Sequence, residues 1–222
     1  MLEFPEWLPD LPDLGNPGLT IAKNVLPQGK GYRSMGSPVA ITDAINARAR
    51  GAIAAVANTD IIYSYVGNAT KLYLVGATSH TDVTNTGGAY TLTEKENWEF
   101  QKWGEKVVAV SIGENPQVIT FGGTNFTDLA GSPPKANHIA AINNFMVLGN
   151  INDGTHEPQT VRWSAIGDIT DWTISATTQA DESVIYSDNN NGGGAIQGVT
   201  SGADFGLIIQ EYSTWRMVYE GS

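Results

Sequence analysis

The chain has 222 residues, 41% hydrophobic and 16% charged, which is enough apolar material for a sizeable core and excludes a disordered chain or a coiled coil. Its net charge of −11 argues against a general phosphate-binding surface, which draws on clustered Lys and Arg, but leaves room for a wall past which DNA slides without sticking. Cysteine is absent, so no disulfide framework or thiolate metal site is available.

The segment Met1–Trp7 has no basic region followed by an apolar run, and no apolar stretch nears the ~20 residues of a membrane helix. A protein that does not cross a membrane as a nascent chain is expected. Residues 1–50 read as an extended Pro-rich arm with lead-in strands. Pro5, Pro9, Pro12 and Pro17 forbid a long helix. The interleaved Trp7, Leu8, Leu11 and Leu14 imply that the arm lies against its own domain or a neighbouring subunit. Leu19–Ala22 reads as a short strand, followed by a turn around Pro27–Gly31 and an extended piece to Pro38. The Ala-rich run from Ala40 to Ala55 permits a helix, but Gly51–Ala57 reads better as a strand.

Residues 51–222 read as all-β. Four hairpins recur: Ile61–Tyr65 with Lys71–Val75, Lys106–Val110 with Gln117–Phe121, Phe145–Gly149 with Thr160–Ser164, and Phe205–Ile209 with Thr214–Val218. In each, an apolar or aromatic strand meets a turn rich in Gly, Asn, Asp or Pro and a second strand returns. A repeat of roughly 40–50 residues built of short strands is the mark of propeller blades. The predicted fold is therefore a propeller-like array of antiparallel blades. Further blade strands are expected at Ala89–Leu92, Trp98–Phe100, Asn125–Thr127 and Trp172–Ile174. Trp98, Trp103, Trp163, Trp172 and Trp215 suit packing between blades. The tract at about 176–194, ending in Asp188-Asn189-Asn190-Asn191 and three glycines, reads as a long exposed loop. After the last strand only Glu220-Gly221-Ser222 remain, so the chain stops in mid-blade. Either a longer protein or assembly with other chains is expected to complete the sheets.

Reactive chemistry is poorly represented. His80, His138 and His156 have no second His at metal-ligand spacing, and His138 reads as a satisfied residue at a strand entrance. Ser164 lies in Trp-Ser-Ala, not in a Gly-x-Ser-x-Gly elbow. Asp168, Asp171, Asp181, Glu182, Asp188, Asp204 and Glu211 are scattered, and the order around Ser164 and Asp168 is wrong for a sialidase-type Asp box. Asp181-Glu182 and Asp188–Asn191 offer oxygen ligands without the alternation of a calcium loop; a solvated loop or a subunit contact is the plainer reading. The basic residues Lys30, Arg33, Arg48 and Arg50 suit carboxylates of a neighbour better than DNA phosphates. No catalytic residue, cofactor or metal is expected. Trp7, Leu11, Leu14, Arg33, Asp188 and Asn190 are the candidate subunit contacts.

The run Val161-Arg162-Trp163-Ser164-Ala165-Ile166-Gly167-Asp168-Ile169-Thr170-Asp171-Trp172 joins a Trp-Ser strand end to a small loop and an Asp-Trp pair. With Ala22–Gln28, Gly31-Tyr32-Arg33 and Tyr212–Arg216, it resembles the tail nozzle, or packaged-DNA stabilisation, proteins of short-tailed bacteriophages. The resemblance implies a virion protein assembled in the host cytoplasm. It would be one subunit of a homo-oligomeric ring, a hexamer, below the portal and adaptor. That ring would close the DNA exit channel and pass double-stranded DNA at ejection without sequence-specific binding. Members of that family are considerably longer than this chain. The alternative is a carbohydrate-binding or glycan-hydrolysing propeller used in receptor recognition.

Overall fold

In the computed structural model, residues 5–28, 31–186 and 193–221 are described. Every regular element among them is a strand: β1 Val25–Gln28, β2 Gly31–Ser34, β3 Ala52–Val56, β4 Ile62–Gly67, β5 Leu72–Val75, β6 His80–Asp82, β7 Glu99–Trp103, β8 Lys106–Ser111, β9 Glu114–Thr120, β10 Thr127–Asp128, β11 Lys135–Ile142, β12 Phe145–Asn152, β13 His156–Trp163, β14 Asp181–Val184, β15 Ile196–Ser201, β16 Gly206–Gln210 and β17 Thr214–Met217. The chain divides into two units, Met1–Ile41 and Thr42–Ser222.

The first unit carries the antiparallel pair β1–β2, in which Val25 faces Ser34 and Gln28 faces Gly31. The predicted strand Leu19–Ala22 is reduced to one parallel bridge between Trp7 and Leu19. Pro5 and Pro9 flank the partner segment and supply no N–H, so the ladder cannot extend past it. The Tyr32 hydroxyl donates to the Pro5 carbonyl (3.3 Å).

The second unit is four antiparallel meanders in chain order: β3-β4-β5-β6, β7-β8-β9-β10, β11-β12-β13-β14 and β15-β16-β17. All four predicted hairpins are present as β4–β5, β8–β9, β12–β13 and β16–β17. Gly51–Ala57 supplies β3. The leading strands are neighbours in series, β3 beside β7, β7 beside β11 and β11 beside β15.

Between each successive pair of sheets lies a core, and alternation along the second strands explains how. On β8, Val107 and Ala109 enter the core shared with the first sheet, while Val108 and Val110 enter the core shared with the third. On β12, Met146 and Leu148 face the second sheet, and Phe145 and Val147 face the fourth. A sheet covered on both faces demands an unbroken apolar run, so these strands read VVAV and FMVL where a half-buried strand would alternate. Gly149 continues that logic: a Cβ there would meet Val199 Cγ2 at 2.7 Å, so glycine lets β12 approach β15 closely. Trp98 and Trp172 are buried in the first and second cores, and Trp103 and Trp163 pack at the margins of the second and third.

Three further expectations need correction. Ala89–Leu92 forms no strand. Tyr90 and Leu92 bury their side chains in the first core, and their N–H groups donate to Thr70 and Ala69 carbonyls in the turn after β4. Trp172–Ile174 likewise forms only a bridge, Ile174 to Ala180, because the Trp172 side chain turns inward and donates to the Ile169 carbonyl. Within the presumed loop 176–194, Asp181–Val184 is β14, the fourth strand of the third sheet. Its four residues are exposed; main-chain bonds to β13 hold it, so polarity was a poor guide to its structure.

Candidate functional site: open sheet faces and polar clefts

The two terminal sheets each present one face to a core and one outward. Residues directly opposite in an antiparallel pair share a face. On the first sheet, the register Ala54↔Ser64 and Val56↔Ile62 puts these four on the outer side, opposite Tyr65 and Ala55. Val56 and Ile62 are 47% and 66% exposed. The other half of this face is covered by the incoming segment: Tyr73 donates from its hydroxyl to Asn46 (2.9 Å), and the Asp43 N–H donates to the Thr78 carbonyl (2.7 Å).

On the fourth sheet, Val199 and Ile208 face the third core. Thr200↔Leu207, Gly198↔Ile209, Leu207↔Arg216 and Ile209↔Thr214 therefore form the outer side, with Ile209 41% exposed. Arg216 lies over the Phe205 ring, 4.8 Å from its centre. Among the described residues this sheet has three strands, where the other three of this unit have four. The Gln210 N–H to Ser213 carbonyl bond (2.8 Å) closes the β16–β17 turn. Counting from it, the main-chain groups of Thr214 and Arg216 point away from β16, toward a side on which no described strand pairs.

Polar clefts lie elsewhere among the described residues. One, of about 460 Å³, is lined by Asn85, Tyr90, Glu114, Asn115, Gln117 and Asp128. The Asp128 carboxylate accepts from Gln117 Nε2 (2.8 Å), Asn85 Nδ2 (2.9 Å) and Asn115 Nδ2 (3.1 Å). Tyr90 donates to Gln117 Oε1 (3.1 Å), and burial pushes its phenol up to about 12. Another, of about 360 Å³, lies where β7, β11 and β15 run side by side and is lined by Lys95, Glu99, Asn137, His138, Asn150 and Gln197. His138 Nδ1 and Glu99 Oε2 are 2.9 Å apart, tying two sheets together. Asn150 occupies the β12 bulge at φ +56°, donating to the Ile196 carbonyl (3.0 Å) while its Oδ1 sits 2.7 Å from His156 Nε2.

Trp7, Leu11, Leu14 and Arg33 belong to the first unit and are exposed, Leu14 to 95%. Asp188 and Asn190 lie outside the described residues. Arg50, expected to meet a neighbour's carboxylates, donates instead to the Thr93 and Glu96 main-chain carbonyls. Ser164 is fully buried, accepting from the Met146 N–H (3.1 Å) and donating to the Ala165 carbonyl (3.0 Å). Asp168 accepts from both the Thr170 hydroxyl (2.6 Å) and its N–H (2.8 Å), which holds its carboxyl below the usual range. The Asp168–Trp172 stretch is thus a self-satisfied turn sealing the second core.

Sequence reasoning missed Glu99, Asn150 and the Asp128 network. Glu99 meets His138 39 positions on and Asn85 reaches Asp128 across 43, and where a partner is near, as His156 is to Asn150, no motif marks the pair; only the Asn150 bulge residue carried a local hint, as a type that tolerates positive φ. No family model matches this chain, and no curated protein matches its sequence.

Proposed function

We propose that this chain is a propeller-like structural subunit of a bacteriophage tail, one member of a homo-oligomeric nozzle ring below the portal and adaptor. It closes the DNA exit channel and passes the genome at ejection. The observation that carries this reading is the serial stacking of four antiparallel meanders, each joined to the next by a continuous core. Such a stack is stiff, because β8 and β12 in its two middle sheets are packed on both faces. The function is mechanical, with no covalent step. The −11 charge keeps passing DNA from adhering. The segment that carries the resemblance, Val161–Trp172, is folded as a strand end and a turn that sinks Ile169 and Trp172 into the second core.

Imaging of the assembled particle tests this. The expected result is density for this chain in a ring around the tail axis. Density on a peripheral fibre or spike would overturn it.

A second reading, glycan recognition, is favoured by the amide-and-carboxylate cleft around Asp128 and Gln117, since such groups suit sugar hydroxyls. Binding of oligosaccharides by an isolated subunit, abolished by Asp128→Ala, would support that reading over the ring.

A further inference from the structure

We propose that the outer face of the fourth sheet in one copy of this chain seats against the outer face of the first sheet in a second copy, continuing the internal stacking head to tail. This rests on the ring reading and assigns it a pair of contact surfaces.

The argument is one of polarity. At each internal junction the two contacting faces are of different kinds. Every sheet that has two neighbours turns one face toward the preceding sheet and the other toward the following one: Val107 and Ala109 look back and Val108 and Val110 look forward, as Met146 and Leu148 look back and Phe145 and Val147 look forward. The first sheet, whose Tyr65 and Leu72 look forward, leaves open the half of its backward face that carries Ala54, Val56 and Ile62, the incoming segment covering the rest. The fourth, whose Val199 and Ile208 look back, leaves a forward face open. Leu207 and Ile209 on β16 occupy the same second-strand setting as Val108 and Val110 or Phe145 and Val147. Ile62 on β4 occupies that of the backward-looking residues. One chain therefore carries both halves of the junction it repeats three times internally. A contact between unlike patches of identical subunits is the heterologous kind that generates rings or filaments.

Apolar residues exposed at these positions, 66% for Ile62 and 41% for Ile209, can take a charge without disturbing a core. Burying that charge in the junction would be costly. Sedimentation velocity of the 222-residue chain reads the effect. The wild type associates with concentration, and Ile62→Asp and Ile209→Asp each weaken association by about 100-fold or more with unchanged circular dichroism. Because Ile62→Asp keeps a sound fourth sheet and Ile209→Asp a sound first sheet, mixing the two monomeric variants yields a one-to-one heterodimer and nothing larger.

Three outcomes overturn the proposal: a wild type that stays monomeric at every concentration, variants that associate as the wild type does, and Ile62→Asp pairing with itself through two fourth sheets. None of these touches the ring reading, which the particle image decides separately. A ring seen there with unaffected variants means that other surfaces build it.

Discussion

Gly51 stands at φ +144°, and a Cβ there would run into the Trp98 main-chain carbonyl. The Arg50 and Trp98 main chains are hydrogen-bonded at this point (2.7 Å), so neither side can retreat. Gly51→Ala is expected to cost about 2 kcal/mol or more, read as a shift in the denaturant midpoint; a neutral result would mean that the lead into β3 and the segment just before β7 are loosely joined. Tyr65 and Tyr90 make a second residue-scale test. Desolvation by burial raises both phenols to about 12. The neutral form is favoured in the folded chain, so their contribution is complete below pH ~10 and is lost as pH rises through about 12. Phenolate absorbance should lose one late-ionising phenol in Tyr65→Phe and one in Tyr90→Phe. Asp168 works in the opposite sense. Hydrogen bonds from Thr170 lower its carboxyl, so its stabilisation is present above the ordinary carboxylate value of ~3.9 and fades as pH falls below it. Asp168→Asn should melt below the wild type at neutral pH, with the gap closing in acid; a gap that stays constant would assign the effect to shape and not to charge.

Among the elements, β8 and β12 bear the most consequence because each serves two cores. Met146 is fully buried between the second and third sheets. Met146→Ala should cost about 2–5 kcal/mol, whereas Val184→Ala, on the exposed edge strand β14, should move the thermal midpoint little. Equal losses at the two sites would contradict the two-sided burial of β12. The same contrast explains what could be read from the sequence. Inner strands announce themselves by apolar runs bounded by turn residues, as Val107–Val110 and Phe145–Leu148 do. The fourth strands β6, β10 and β14 are two to four residues long and largely polar, held by main-chain bonds and by polar ties such as Asp82 to Lys71 and Asp128 to Gln117, none of which leaves an apolar run. Tyr90 and Leu92 misled in the other direction, since alternating burial came from a segment lying over a core with no partner strand beside it. The Glu99–His138 tie was illegible because stacking, and not local sequence, brings residues 39 positions apart together.

For the molecule as a whole, the excess of 23 acidic over 12 basic residues sets how it meets a polyanion. At an ionic strength of about 0.15 M, where fields reach roughly 8 Å, double-stranded DNA should show no measurable retention by the isolated chain in a filter-binding assay. Firm retention that weakens steeply with salt would mark a cationic groove and remove the sliding-wall mechanism. The serial order of the meanders was foreseeable from four recurring hairpins; which faces would be left bare was not, because that depends on where each strand sits in its stack. The unpaired margin at Thr214 and Arg216 carries one last consequence. A bare β edge is a template on which any extended peptide can grow strand by strand, so concentrated solutions of this chain should slowly become fibrillar. Arg216, pinned above Phe205, is the cation that guards that margin, and neutralising it should shorten the lag before such growth.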